Sequence, residues 1–110
     1  MANDLSTFAT KGEARAARKL IKALLARELS VSVNDGEEWT VHKSHNYRAI
    51  VDALATTGVD YVRGYAPTGD SMGTFMLVYG NDEDGSELIA DHTDNFVCNS
   101  VYKAVYGANA

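Results

Sequence analysis

The sequence predicts an α+β protein: a mainly antiparallel sheet of about five strands with helices packed on one face, in the order α-β-β-α-β-β-β-α. Three segments place apolar residues at helical spacing. Five short segments are rich in β-branched or aromatic residues and end at Gly, Asp, Asn or Pro, and short turns join the strand pairs. At 110 residues, 45% of them hydrophobic, the chain is predicted to form a single domain over residues 1–110.

The three helices are predicted from apolar spacing and end signals. The first runs from Thr10 to Glu28 and opens with a capping box, because Glu13 follows Thr10 by three residues. The second begins at Ser44 and stops at Gly58, a residue suited to a left-handed cap. The third follows Asp94 or Asn95. The residues expected to face inward are Ala14, Ala17, Ile21, Leu24 and Leu25, then Tyr47, Ile50, Val51 and Leu54, and finally Val97, Val101 and Ala104.

The five strands fall into a hairpin and a later group of three. LSVSVN (29–34) and EEWTVHK (37–43) flank Asn34-Asp35-Gly36, residues that tolerate the positive φ of a tight turn. VDYVRGY, GTFMLVYG and SELIAD follow, separated by turns at 67–73 and 81–85. We expect the strand aromatics to build the core between sheet and helices; they are Trp39, Tyr61, Phe75 and Tyr79.

Composition restricts the class of function. The net charge of -5 argues against direct binding of a nucleic-acid backbone by the molecule as a whole. The start of the chain lacks a signal-peptide pattern and no run of 18 apolar residues occurs, so we expect a soluble cytoplasmic protein without a membrane partner. The lone Cys98 is predicted to be a buried, inert thiol, which fits a reducing compartment.

Charge is segregated along the chain. Between Gly64 and Tyr102 there are seven carboxylates and no Lys or Arg, whereas residues 1–30 hold six basic and three acidic residues. An acidic loop can simply be solvated, and acids beside a helix start favour its positive end. Crowded carboxylates can also be relieved by a cationic partner. On this second interpretation the partner-binding residues are Asp82, Glu83, Asp84, Glu87, Asp91 and Asp94.

Metal binding and catalysis are weaker interpretations, and we predict no metal, no cofactor and no catalytic residue. NDEDG (81–85) imitates part of a calcium loop, but the apolar residues that follow it suit a strand. His92 with Asp91 or Asp94 could join His42 or His45 in a metal site, although spacing alone fixes no shared face. His92 with the neighbouring carboxylates is also the best candidate for a small hydrolytic enzyme.

A basic stripe follows the first helix, formed by Lys11, Arg15, Arg18 and Lys22. It is either a solvated outer face or a docking surface. As a docking surface it would meet nucleic-acid phosphates or the acidic segment of a second copy, which would give a homodimer. No aromatic residue is interleaved to stack bases, which disfavours nucleic acid.

The runs SVNDGEEWTV, LVYGN and ELIADHTDN resemble a group of small proteins without assigned function that proteobacteria, their phages and their mobile elements encode. The likeness covers residues 29–95 and carries no catalytic motif. It implies a short cytoplasmic accessory protein of a phage or bacterium, a class in which many members act by binding a host protein.

The hypothesis that combines these observations is a noncatalytic acidic interaction protein, an inhibitor whose carboxylates bind a basic, nucleic-acid-binding site on a partner. The alternatives are the small metal-dependent or hydrolytic enzyme using His92 and a nucleic-acid binder using the basic stripe.

Overall fold

The computed structural model describes residues 8–81 and 83–107. Three helices are present: α1 (Lys11–Ala26), α2 (Tyr47–Asp52) and α3 (Phe96–Tyr106). Five strands are present: β1 (Ser30–Asn34), β2 (Trp39–Ser44), β3 (Val59–Tyr65), β4 (Ser71–Val78) and β5 (Ile89–His92). The predicted α+β class and element order are therefore confirmed.

The strands form one antiparallel sheet in the order β2-β1-β3-β4-β5. The β1–β2 hairpin is confirmed, and its turn is held by the Asp35 carboxylate, which accepts the backbone N–H groups of Glu37 (2.9 Å) and Glu38 (3.0 Å). β3 lies at the centre of the sheet, while β2 and β5 are its two edges.

One face of the sheet packs against the helices. Val62 of β3 pairs with Val33 on one side and with Phe75 on the other, and all three are fully buried. Next along β3, a Cβ on Gly64 would lie 3.3–3.4 Å from Leu29 and Leu24, so alternate residues of β3 face the end of α1. The buried apolar residues form one cluster between this face and the helices.

The capping box predicted at Thr10 and Glu13 is confirmed. The Thr10 hydroxyl accepts the N–H of Glu13 at 3.1 Å, and the Glu13 carboxylate accepts the N–H of Thr10 at 2.9 Å. Of the inner residues predicted for α1, Leu25 is only partly buried, and Leu20 completes the buried stripe.

The second helix is shorter than predicted. It begins after the Asn46 cap and ends at Asp52, and the left-handed residue is Ala55 (φ 57°) instead of Gly58. The reason is a tertiary contact: the buried Asp60 carboxylate of β3 accepts the N–H of Ala55 at 2.8 Å. This hydrogen bond stabilises the turn at Ala55 and allows a residue other than glycine to adopt a positive φ there.

The third helix begins after Asn95, one of the two predicted caps, whose side chain accepts the N–H of Cys98 at 2.8 Å. Its buried stripe is Cys98, Val101 and Val105, and Val97 is partly buried and packs against the core. The predicted stripe was wrong at Ala104, which is exposed. None of the described helices has the length and apolar character required to cross a bilayer.

Candidate functional site

The structure distributes the predicted acidic residues over three places. Glu83, Asp84 and Glu87 lie in the β4–β5 loop, which we call the acidic loop (80–87); Asp91 lies on β5. Asp94 precedes α3, where its carboxylate accepts the side-chain N–H of Asn99 at 3.1 Å. Asp82 lies outside the described residues. The partner-binding role of these six acids stays a prediction.

The acidic loop packs on the first turn of α1. The N–H of Gly12 donates to the carbonyl of Glu83 at 3.2 Å, and the main chain at Gly85 lies against that at Gly12. A Cβ at either glycine would overlap backbone atoms of the other segment. This contact therefore requires two glycines, one from each segment.

The fully buried Glu13 carboxylate stabilises the same contact from the helix side. Its Oε1 accepts the N–H of Gly80 at 2.7 Å, and its Oε2 accepts the N–H of Asn81 at 3.1 Å. Hydrogen bonds to a buried carboxylate are stronger than neutral ones, so they keep the loop close to the helix start. Glu13 thus has a second, long-range function beyond the capping box.

This packing brings together charges that are separate in the sequence. Asp84 lines a cavity of about 310 Å³ together with Arg15 and Lys19 of α1. The loop also lies at the N-terminal end of α1, where the helix dipole favours negative charge. Part of the acidic charge is thereby compensated within the molecule.

Asp91 and Asp94 do not join the loop carboxylates. α3 runs from Asp94 back to the acidic loop, where the Tyr106 hydroxyl donates to the carbonyl of Gly85 at 2.9 Å. Its 11 residues span about 16 Å, which is the separation of the two ends. Asp91 pairs with Met76 in the sheet, so its side chain belongs to the face opposite the helices.

The basic stripe on α1 lies along a groove of about 460 Å³. Lys11, Arg15 and Lys22 are exposed and Arg18 is partly buried. Lys22 places its ammonium 5.6 Å from the centre of the Tyr47 ring. The stripe is continuous, but its predicted partners remain untested.

The histidines do not converge. His92 lies on the edge strand β5, whereas His42 lies on β2 at the opposite edge, and five strands at about 4.8 Å spacing put these edges roughly 19 Å apart. Within residues 8–81 and 83–107, no three His, Cys, Asp or Glu side chains are grouped so that they could hold a metal ion.

His92 and Asp91 also point to different sides. The Asp91 carboxylate accepts the backbone N–H of His92 at 2.9 Å, while the His92 ring packs between Phe75 and Tyr102 with centroid distances of 5.7 and 4.9 Å. Its Nδ1 lies 3.0 Å from the carbonyl oxygen of Thr93. The geometry is that of a packed histidine, and no carboxylate of residues 8–81 or 83–107 is hydrogen-bonded to its ring.

The prediction that Cys98 is buried is confirmed, with 2% of the residue exposed. Burial raises the pKa of its thiol, partly opposed by the Asn95 side chain, so the thiol form is favoured. Its Sγ lies 3.4 Å from the carbonyl oxygen of Met72.

The prediction that all four strand aromatics lie in the core is wrong for two of them. Phe75 and Tyr79 are buried as expected, but Trp39 and Tyr61 lie on the sheet surface opposite the helices. The alternation along β3 shows this, since Asp60, Val62 and Gly64 face the helices and Tyr61, Arg63 and Tyr65 therefore face away. We call this surface the open face; it comprises Trp39, Lys43, Tyr61, Arg63, Tyr65, Thr74, Met76 and Asp91.

Arg63 lies at the middle of the open face in a fixed position. Its Nε donates to the Thr74 hydroxyl at 3.0 Å, and its guanidinium carbon lies 4.9 Å from the centre of the Trp39 ring. Two contacts, one from β4 and one from β2 across β1, therefore orient the guanidinium plane. Among the described residues no carboxylate pairs with Arg63.

A second cation repeats the arrangement. Lys43 places its ammonium 4.7 Å from the centre of the Tyr65 ring. Towards β5, Tyr61, Met76 and Asp91 line a shallow depression of about 240 Å³. The open face thus combines aromatic rings, two oriented cations and a recess.

Sequence reasoning missed this face, although a signal was present. In VDYVRGY the aromatic residues and Arg63 share one parity, while Val62 shares the other. The set that the helices cover also contains Asp60 and Gly64, so it is the less apolar of the two, and parity alone does not tell which set is buried.

Comparison with protein-family models, with curated proteins and with solved structures yields no match for this chain.

Proposed function

We propose that the protein is a noncatalytic interaction protein that binds another protein through the open face. The observation that carries the proposal is the oriented guanidinium of Arg63, which lies among partly exposed aromatic rings and has no described acidic partner. The uncovered face of an antiparallel sheet is ordinarily polar. Here it carries Trp, Tyr, Arg and Met, the residue types enriched at the centres of protein interfaces.

The Arg63 geometry indicates what the partner contributes. With Nε bonded to Thr74, the donors on the two terminal nitrogens remain for a ligand, in a planar fork that matches a carboxylate. Because Trp39 and Thr74 already hold the side chain, little rotamer entropy is lost on binding. A carboxylate of the partner is the group that complements this arrangement.

The surroundings of Arg63 favour a protein over a nucleic acid. The chain has a net charge of -5, and Asp91 lies on the open face itself, so a polyanion is repelled while a single carboxylate among apolar groups is not. The recess between Tyr61 and Asp91 has room for an apolar side chain. Cross-strand aromatic pairs can also stabilise a sheet, but that function does not require an oriented cation with spare donors.

The acidic loop is a less favourable binding surface than the sequence suggested. Glu83 and Asp84 lie against the positive end of α1, and Asp84 shares a cavity with two cations. Charge mimicry by these residues would require the partner to compete with that compensation. A host protein remains the partner class, as the resemblance to phage and proteobacterial accessory proteins implies.

The test is comparative capture from a proteobacterial lysate. The wild type, Arg63→Gln and Tyr61→Ala serve as baits beside two controls: Arg48→Gln, an exposed arginine on α2, and a neutralised acidic loop (Asp82→Asn, Glu83→Gln, Asp84→Asn). Thermal melting checks that every bait is folded. We expect a partner that the wild type and both controls retain and that the two open-face variants lose.

The purified partner gives the quantitative measurement. Loss of a central arginine anchor costs about 2 kcal/mol or more, which raises Kd about 30-fold. Trp39 is the one tryptophan in the sequence and lies under Arg63, so its fluorescence should change on binding. Retention by both open-face variants contradicts the proposal. Loss only on neutralising the acidic loop would instead establish charge mimicry.

A further inference from the structure

The outer surface of α3 carries an apolar side chain that the described part of the chain leaves uncovered. Phe96 is 87% exposed, the larger value of the two exposed phenylalanines among the described residues, the other being Phe8 at 42%. It lies in the first turn of α3, on the side opposite the buried Cys98, Val101 and Val105. An aromatic residue this exposed on a helix surface is typical of a contact site.

The same surface contains a groove that could receive such a side chain. Arg27 and the outer residues of α3 enclose about 400 Å³; the α3 residues are Phe96, Asn99, Ser100, Lys103 and Ala104. Arg27 is fixed there, because its guanidinium donates to the Ser100 hydroxyl at 2.9 Å and to the carbonyl of Ala23 at 2.9 Å. The protruding ring and the groove therefore belong to one continuous patch.

The patch is negative at the N-terminal end of α3 and positive at its C-terminal end, so two copies related by a two-fold axis place opposite charges together. Asp94 lies at the N-terminal end of α3, and Lys103 lies in its last turn. If two copies of α3 lie antiparallel, crossing near Asn99 and Ser100, Phe96 of each copy meets the aliphatic part of Lys103 of the other. The ammonium of that Lys103 then reaches Asp94, and the opposite helix dipoles align favourably.

We propose that α3 is a self-association surface, and that its occupant is a second copy of this chain in an antiparallel, two-fold arrangement. A two-fold contact needs a self-complementary patch, and this one supplies the ring, the groove and both signs of charge. The surface lies on the helical side of the molecule, opposite the open face. The inference therefore does not depend on the proposed function.

The patch also indicates how strong the association is. A contact along a helix of about 16 Å covers far less than the roughly 800 Å² per partner of a standard interface, so we expect a Kd on the order of 10–100 µM. Two chains of net charge -5 repel each other. Association is therefore best measured near physiological ionic strength, where the Debye length is about 8 Å.

The experiment is sedimentation equilibrium of the full chain from about 1 µM to about 1 mM, a range that spans the expected Kd. We expect a reversible dimer for the wild type and at least about 30-fold weaker association for Phe96→Asp, since an aromatic anchor is lost. Phe8→Asp is the matched control and should dimerise like the wild type. Because Phe96 is exposed, Phe96→Asp should keep the wild-type melting temperature.

Charge exchange tests the antiparallel arrangement. Asp94→Lys alone and Lys103→Asp alone should each weaken the dimer about tenfold or more, because each brings like charges together. The double variant should restore association. A wild type that stays monomeric throughout, a dimer that Phe96→Asp does not weaken, or a double variant no better than the single ones would overturn the proposal.

Discussion

Asp60 is the residue whose ionisation is most clearly altered by folding. It is fully buried in β3, and its Oδ2 accepts both the N–H of Ala55 at 2.8 Å and the hydroxyl of Tyr79 at 2.7 Å. Its Oδ1 has no partner among the described residues. Burial raises the pKa of Asp60 above its ordinary value of 3.8, although both hydrogen bonds oppose the shift.

A raised pKa makes a prediction with a definite sign. Above the folded-state pKa, Asp60 is ionised and its charge is less favourable in the folded chain than in the unfolded chain, which lowers the free energy of unfolding. Below about 3.8 it is protonated in both states, and this destabilisation disappears. The Asp60 contribution therefore becomes more favourable as pH falls through that window. Asp60→Asn does not titrate, so the free energy of unfolding of the wild type minus that of the variant should rise as pH falls.

Chemical denaturation of both proteins between about pH 7 and about pH 4 measures this difference. The carboxylates that do not interact with Asp60 are common to both chains and cancel. Asp35 adds a smaller contribution to the difference, because its charge also raises the pKa of Asp60. A difference that does not vary with pH would show that Asp60 keeps its ordinary pKa.

At the level of elements, the contact between α1 and the acidic loop depends on main-chain approach as much as on side chains. Gly12 and Gly85 permit it, and Glu13 bonds the N–H groups of Gly80 and Asn81. The loop is thereby fixed at both of its ends, since Tyr106 of α3 bonds the carbonyl of Gly85. A loop with this many contacts is a structural part of the fold.

Gly12→Ala tests this contact. Intrinsic helix propensity favours Ala over Gly by up to about 1 kcal/mol, but the added Cβ would overlap the carbonyl of Glu83 and the main chain of Asp84. We therefore expect a net destabilisation of about 2–3 kcal/mol by denaturant unfolding. Gly58→Ala is the matched control, because nothing lies within 4 Å of its Cβ, and it should be neutral or slightly stabilising. Equal stabilities of the two variants would show that the main chain of the acidic loop does not approach Gly12 this closely.

At the level of the whole molecule, the fold divides charge and apolar character between surfaces. The acidic loop meets the positive end of the basic helix α1, the open face carries aromatic rings and two oriented cations, and α3 presents Phe96 outward. The acidic and basic segments, which are separate in the sequence, are thus partly paired with each other in the folded chain.

Charge reversal in the acidic loop tests that pairing. Glu83→Lys with Asp84→Lys puts two cations beside the start of α1 and near Arg15 and Lys19, so stability at low salt should fall by about 1–2 kcal/mol. Salt screens exposed charges, so the loss should shrink near 1 M, where the Debye length is about 3 Å. Glu37→Lys with Asp70→Lys, two exposed acids in the β1–β2 and β3–β4 turns, is the control for the same change in net charge. A loss of the same size in that control would remove the special role of the loop.

The element order, the capping box and the hairpin were predictable from sequence because each depends on residues close together in the chain. The burial of Cys98 was predictable from its residue type and its place in an apolar helix. The end of α2 was not, because it depends on Asp60, a residue of the next strand. The candidate site on the open face could not be predicted from the sequence either. The acidic residues were conspicuous in the sequence, whereas Trp39 and Arg63 lie 24 positions apart and meet only through the pairing of β1 with β2 and β3.

By itself, then, the sequence determined which segments become helices and strands, because periodicity and local hydrogen bonds act within a few residues. Only the tertiary structure decided which side of β3 the helices cover, since alternation defines two faces without telling which one is buried. That choice turns Trp39 and Tyr61 from expected core into surface and places Arg63 beside them, and it directs the acidic loop towards α1. The physical reason is that face selection and charge pairing depend on contacts between segments distant in the chain.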